Sequence, residues 1–438
     1  MQAQSQFHLL KTRRFLPFYI TQFLGALNDN IFKNALLIII AYQASIWTSV
    51  KPALLTNICA GLFILPFFLF SAMAGQLADK YEKSKLIRIV KIVEILIMIL
   101  ATIGLVLHQL YFLLFVLFML GTQATYFGPV KYSLLPQVLS DDELLGGNGL
   151  VQMGTFVAIL VGTIIGGVLA SFQQHMVIAV SSAILFVALA GFTSSCFIPK
   201  ASPNDATLKI NWEPISQIYK NVVFATDNKT VFFAIIANAW FWFFGAVVLT
   251  QIPVYVESYL GGQDHVTTLL LTVFSIGIGL GSLLCDKLSG HQVEMGLVPL
   301  GALGISIFSI ALYFSHPYAY HGELMSMMAF LHLVSSWCVL LSSVTLGIFA
   351  GIYVVPLFAL IQQRSMPAHR SRIIAANNII GAFFMVIAAL YAIALLHFNF
   401  TIPQIFLSLA LVNVIVVGVI FCFIPEFIRA FWKWIFKS

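Results

Sequence analysis

GQLADKYEKSKLI, from Gly75 to Ile87, and SLLCDKLSG, from Ser282 to Gly290, read as one loop written twice. In each copy a small residue is followed four positions on by Asp and then at once by Lys, giving Gly75, Asp79, Lys80 and then Ser282, Asp286, Lys287. Each copy follows the second hydrophobic run of its half. A second likeness occurs in the same order: Pro129 in GPVKYSLLPQ and Pro356 in VVPLFALIQQ end the fourth and tenth runs, and Asn148 and Asn377 open the fifth and eleventh. Two shared features in one order indicate an internally duplicated chain.

The composition says where such a chain resides. With 60% apolar and 9% charged residues and a mean hydropathy of +0.98, it lies far from soluble globular chains. A membrane helix needs about 20 apolar residues to cross roughly 30 Å of hydrocarbon. Twelve stretches qualify: 16–46, 53–78, 86–107, 110–136, 147–172, 175–198, 228–258, 266–289, 294–314, 328–362, 372–396 and 402–424.

Orientation follows from the basic residues, which are retained in cytoplasmic loops. Lys11, Arg13 and Arg14 precede span one, and Lys80, Lys83, Lys85 and Arg88 follow span two. Lys200, Lys209, Lys220 and Lys229 fall between spans six and seven, Arg364, Arg370 and Arg372 between ten and eleven, and Arg429, Lys433 and Lys437 in the tail. On the other side only the first loop holds a basic residue, Lys51. Both termini are therefore expected to be cytoplasmic. The net charge of +6 is a topology signal and forms no nucleic-acid patch. The first apolar run is too long for a cleavable signal and reads as a signal anchor. The five cysteines have no metal or disulfide spacing. His108, His175, His265, His316, His321 and His397 fall on the outer side and read as loop residues.

The only long polar stretch, 199–227, divides the chain into residues 1–198 and 228–424, with a tail at 425–438. The expected fold is all-α, with twelve transmembrane helices in two pseudo-symmetric six-helix bundles. Parallel halves about an axis along the membrane normal are the architecture of the major facilitator superfamily, with the substrate site between halves near the midplane. GQLADKYEKSK is similar to that superfamily's loop between spans two and three. Asp79, near the start of span three, can accept hydrogen bonds and cap that helix, and Gly75 permits close helix approach. The loop residues Gly75, Asp79, Lys80, Asp286 and Lys287 are thus a candidate conformational latch. The plainer reading is a solvated loop that keeps charge inside.

Ionisable groups within spans are costly unless they face a cavity or a partner. Asp29 lies about 18 Å along span one from Pro17, at 1.5 Å per residue, amid Asn28, Asn30, Lys33 and Asn34. Lys33, one turn on, offers a pair within the same helix; the alternative is a polar cavity for a cation or a headgroup amine. Lys131, ending span four, reads either as a lysine snorkelling to the interface or as a phosphate-binding cation. Glu94 and Lys91, at i and i−3, read as a locally neutral pair. Gln152 and Asn148 are uncharged candidates for the same interior, as is Asn377.

QFLGALNDN in span one, GPVKY in span four and NGLVQMGTFVAILVGTIIGG in span five strongly resemble the bacterial lysophospholipid transporters of the major facilitator superfamily. The resemblance covers nearly the whole chain. It implies a multi-pass flippase of the bacterial inner membrane, moving lysophospholipids, chiefly lysophosphatidylethanolamine, to the inner leaflet for re-acylation. Asp29 and Lys131 match the family's cavity residues. Two positions depart from it: Gln152 stands where the family commonly has Glu, and Thr250 or Gln251 stands where a basic residue is usual in span seven.

IPEFIRAFWKWIFKS at the tail is similar to the segment joining transporter to acyltransferase in fused members of the family. Arg429, Lys433 and Lys437 lie opposite Phe427, Phe431, Trp434 and Ile435, the pattern of an interfacial amphipathic helix. It reads as a surface anchor or as a docking element for a cytoplasmic-side acyltransferase. No cofactor is expected, the coupling ion would be H+ or Na+, and a monomer is expected. Enzyme motifs are missing: no P-loop, GxSxG or HExxH occurs. The rival function is a proton-driven exporter of a siderophore or drug-like molecule.

Overall fold

A backbone crossing hydrocarbon must satisfy its own polar groups, which leaves helices or closed barrels. This chain takes the first course. The computed structural model describes residues 5–47, 52–172, 175–315 and 320–437, so Lys51 and His316 lie outside the described residues. Among the described residues, twelve helices are long and apolar enough to cross a membrane.

The helices of the first six spans are α1 (Leu16–Trp47), α2 (Pro52–Lys80), α3 (Lys83–Val106), α4 (Leu110–Val138), α5 (Asp141–Ala170) and α6 (Met176–Ser195). A shorter helix, α7 (Pro214–Thr226), lies within the polar stretch. Then come α8 (Lys229–Tyr255), α9 (Asp264–Leu288), α10 (Leu297–Ser315), the short α11 (Met327–His332), α12 (Val334–Arg364), α13 (Arg370–His397), α14 (Ile402–Phe423) and the tail helix α15 (Glu426–Lys437).

Where these bounds differ from the hydropathy reading, helix-end chemistry accounts for it. Span five begins at Asp141 because Asp141, Asp142 and Glu143 place negative charge in the first turn, where the helix dipole favours it. Leu333, in extended conformation between α11 and α12, interrupts the run expected over 328–362.

The chain separates into two compact units. One comprises Met1–Ser140, Val157–Asp227 and Arg364–Ala382; the other comprises Asp141–Phe156, Asn228–Gln363 and Phe383–Ser438. Helices α5 and α13 are each divided, contributing opening turns to one unit and the remainder to the other.

In the first unit, α2 packs on α4, α1 on α6, and α3 on both α4 and α6. Its core includes Leu27, Ile31, Ile97, Leu113, Leu117, Val180 and Ile184. Helix association in lipid depends on close backbone approach at small residues. A Cβ at Gly162 of α5 would stand 2.7 Å from the Leu27 carbonyl oxygen of α1, which fixes these helices against each other beside Asp29. In the second unit α14 packs on α8 and α10, and Gly277 and Gly281 of α9 bring that helix onto the Val344 and Ile348 carbonyls of α12. The tail helix sits on this unit: Phe427 is fully buried and the Trp434 indole donates to the Leu288 carbonyl at 2.7 Å. Trp432 and Phe436, exposed, stack at 5.8 Å between ring centroids.

Candidate functional site

Five ionisable side chains within the spans of the first unit, Asp29, Lys33, Lys91, Glu94 and Lys131, form a cluster. Glu94 Oε2 accepts from Lys91 Nζ at 2.6 Å and from Gln123 Nε2 at 3.1 Å, while Oε1 accepts from Asn28 Nδ2 at 2.9 Å. Lys91 and Glu94 are both fully buried. Gly25 makes room for the ammonium, since a Cβ there would stand 2.5 Å from Lys91 Nζ. On its other side the ammonium lies 5.3 Å from the centre of the Phe127 ring. A paired buried charge needs its remaining lone pairs and protons satisfied, and Asn28, Gln123 and Phe127 do so.

Asp29 stands differently. Its Oδ1 is buried and receives no protein hydrogen bond among the described residues, although the charges of Glu94, Lys91, Lys33 and Lys131 all act on it. Lys33 makes no ion pair with Asp29 among the described residues; its ammonium lies 5.1 Å from the Phe63 ring centre. Lys131 is buried, with its ammonium 5.1 Å from the Tyr132 ring centre. Two carboxylates against three ammonium groups give the cluster a formal charge of +1.

The asparagines of span one are bonded elsewhere. Asn30 donates back to the Ala26 carbonyl at 2.8 Å; Asn34 donates to the Asn30 carbonyl at 2.9 Å and to Thr163 Oγ1 at 3.1 Å. Asn148, in the second unit, forms a reciprocal amide pair with Gln362, at 2.7 Å and 3.0 Å, both side chains fully buried. Gln152, one turn further along α5, is buried in the same unit, and Asn377 is buried in the first.

The two copies of the repeated loop differ in detail. Asp79 lies in the last turn of α2, and the helix it caps is α13 rather than α3. Oδ1 accepts from the Ser371 backbone N–H at 3.0 Å and from Asn204 Nδ2 at 2.7 Å; Oδ2 accepts from Arg372 Nε at 3.0 Å and the Arg372 backbone N–H at 3.3 Å. A carboxylate at a helix N-terminus is favoured by exposed N–H groups and by the dipole. Gly75 permits the approach, since a Cβ there would stand 2.8 Å from Ala375 Cβ. Lys80 lies 5.8 Å from the Tyr81 ring centre. In the second copy, Asp286 Oδ2 is 3.0 Å from His291 Nδ1, and Lys287 is exposed.

Several contributors were not singled out from the sequence: Gln123, Asn204, Gln362 and Arg372. Arg372 alone had a local signal. A cation in the first turn of a helix opposes the dipole, which calls for a carboxylate nearby.

Ionisable side chains inside membrane spans mark substrate or ion pathways, and a twelve-span helical chain built around such a cluster is a membrane transporter. The sequence model of the Major Facilitator Superfamily matches residues 18–389, and the chain belongs to that superfamily. Within it, the sequence resembles bacterial lysophospholipid transporters. It is 25% identical over 361 residues, 81% of each chain, to the lysophospholipid transporter LplT of Serratia proteamaculans. To LplT of Escherichia fergusonii it is 26% identical over 347 residues, 79% of each chain. Solved structures share the fold. The major facilitator transporter FucP, in its outward conformation, superposes with a TM-score of 0.71 at 13% identity, covering 95% of this chain and 99% of that one. The human organic anion transporter MFSD10 (TETRAN) gives 0.73 at 10% identity, covering 93% and 99%.

Proposed function

We propose that this protein is a flippase of the bacterial inner membrane that moves lysophospholipids, chiefly lysophosphatidylethanolamine, from the outer to the inner leaflet for re-acylation. The observation that carries the reading is the buried Asp29 Oδ1 without a protein donor among the described residues. An unmet buried acceptor costs about 1–3 kcal/mol, and a headgroup ammonium supplies both the missing donor and the opposite charge. The cluster's formal charge of +1 suits a substrate that also carries a phosphate. Lys131 is the phosphate ligand in this reading, through a charge-assisted hydrogen bond, and Lys33 adds positive potential.

Transport proceeds by alternating access, with both termini on the cytoplasmic side. Asp79 and its partners on α13 hold one of the alternating states, and their release accompanies the other. The basic loops and the named relatives support this orientation and substrate class. The partner that consumes the product is an acyltransferase on the cytoplasmic side, and the driving ion is H+ or Na+.

The test is transport by purified protein in liposomes, with H+ or Na+ gradients imposed in turn. Inward movement of labelled lysophosphatidylethanolamine, reduced at least tenfold in Asp29→Ala and in Lys131→Ala, supports the reading. Saturable efflux of a water-soluble compound with no lipid movement replaces it with the exporter.

A further inference from the structure

The helix inside the polar connection has its amphipathicity reversed. Along α7 the polar residues Gln217 and Asn221 are 6% and 0% exposed, whereas Ile215 and Tyr219 are 81% and 72% exposed. Val223, one turn beyond Tyr219, and Trp212, just before the helix, extend the same exposed face. In water such a helix would turn the other way, since apolar area is what burial favours.

The neighbouring surface of α2 explains the reversal. Through its middle α2 exposes Gly61, Leu65, Phe68 and Leu69, spaced three and four apart as a single stripe. The next positions on that stripe are Ala72 and Gln76, and both are buried. The segment carrying α7 covers them: Asn221 Nδ2 meets the Ala72 carbonyl at 3.5 Å. Gln76 exchanges two hydrogen bonds with the backbone of Asn211, at 3.0 Å and 2.9 Å. Ala72 lies about 12 Å along α2 from Lys80, at 1.5 Å per residue, within a candidate membrane span, Leu55–Lys80. There the segment carrying α7 covers α2 and turns an apolar face of its own outward. At the far end of α7 the Phe224 ring stacks on His369 at 4.6 Å and lies 5.0 Å from the guanidinium of Arg372, the residue held by Asp79.

We propose that α7 lies in the membrane leaflet on the side of the basic loops, with Trp212, Ile215, Tyr219 and Val223 covered by acyl chains. The Tyr219 hydroxyl and the exposed Lys220 ammonium sit at headgroup level. The connection between spans six and seven is thus a lipid-embedded strap over α2 that ends on the Asp79–Arg372 contact. The inference needs only that the chain spans a membrane, and stands or falls apart from the identity of the substrate.

The test is the collision accessibility of nitroxide labels in protein reconstituted into liposomes. Single cysteines are introduced at Ile215→Cys and Tyr219→Cys in a background lacking the five native cysteines. Leu96→Cys, on the exposed apolar stripe of α3 formed by Ile89, Ile92, Val93, Leu96, Ile99 and Ile103, is the lipid reference and Lys209→Cys the aqueous one. Labels at 215 and 219 are expected to collide with oxygen as readily as the label at 96, and to be shielded at least fivefold from a water-soluble nickel chelate relative to 209. Nickel accessibility equal to that at 209 overturns the proposal in favour of a face left for a soluble partner. Shielding from both reagents overturns it in favour of a protein contact, such as a second copy of the chain.

Discussion

Asp79 holds Arg372 twice: Oδ2 accepts from the guanidinium Nε at 3.0 Å and from the backbone N–H of the same residue at 3.3 Å. Both side chains are almost wholly removed from solvent. Removing one partner of a buried pair leaves the other charge uncompensated, at about 3–5 kcal/mol. Asp79→Ala is therefore expected to lower the thermal unfolding midpoint strongly, and Arg372→Ala added to it to cost much less than the sum of the two. A double-mutant cycle in detergent measures this coupling; strictly additive effects would show that the contact is not energetically coupled.

Gly75 and Gly167 give opposite expectations for the same substitution. A Cβ at Gly75 would meet Ala375 Cβ at 2.8 Å and Arg372 Cα at 3.0 Å, whereas nothing lies within 4 Å of one at Gly167. Gly75→Ala forces helices apart and is expected to cost about 1–3 kcal/mol. Gly167→Ala meets no obstacle and gains up to about 1 kcal/mol of helix propensity. Unfolding midpoints of the two variants measured side by side decide the matter.

Glu94 neutralises Lys91 inside the first unit, at 2.6 Å. Glu94→Gln leaves that ammonium buried without its counter-charge, and a loss of about 3–5 kcal/mol is expected. Lys91→Met in the same background should recover part of it. Equal stability of Glu94→Gln and the parent in a denaturant titration would refute the pairing.

The Asn148–Gln362 pair is neutral, so its removal has a different signature. Asn148→Ala strands the buried amide oxygen and NH2 of Gln362, at about 1–3 kcal/mol. The double replacement Asn148→Leu with Gln362→Leu should cost less than either single change to alanine. The comparison is made by thermal unfolding of the three variants.

The spans were legible because hydropathy over twenty residues is a strong signal, and the loop repeat drew attention to Asp79 and Gly75. What Asp79 touches was not legible. Arg372 lies 293 residues away, and no periodicity connects the end of one helix with the start of another so distant. The same applies to Asn28 with Glu94 and to Asn148 with Gln362. The Lys91–Glu94 pair was legible because both residues lie on one helix face. The i, i+4 spacing of Asp29 and Lys33 suggested a similar pair that the structure does not make; the Lys33 ammonium lies instead over the Phe63 ring. Helix α7 is short and sits among polar residues, so hydropathy averaged over a membrane-length window passes over it.

The proposed role of Asp29 is tested most directly by headgroup-resolved flipping in proteoliposomes, comparing the parent with Asp29→Asn. If Asp29 receives the headgroup amine, losing a charge-assisted bond worth about 1.5–3 kcal/mol should slow lysophosphatidylethanolamine roughly ten- to hundredfold. Lysophosphatidylglycerol, which has phosphate but no amine, should be slowed far less. Equal slowing of the two lipids, or no slowing of either, would contradict it.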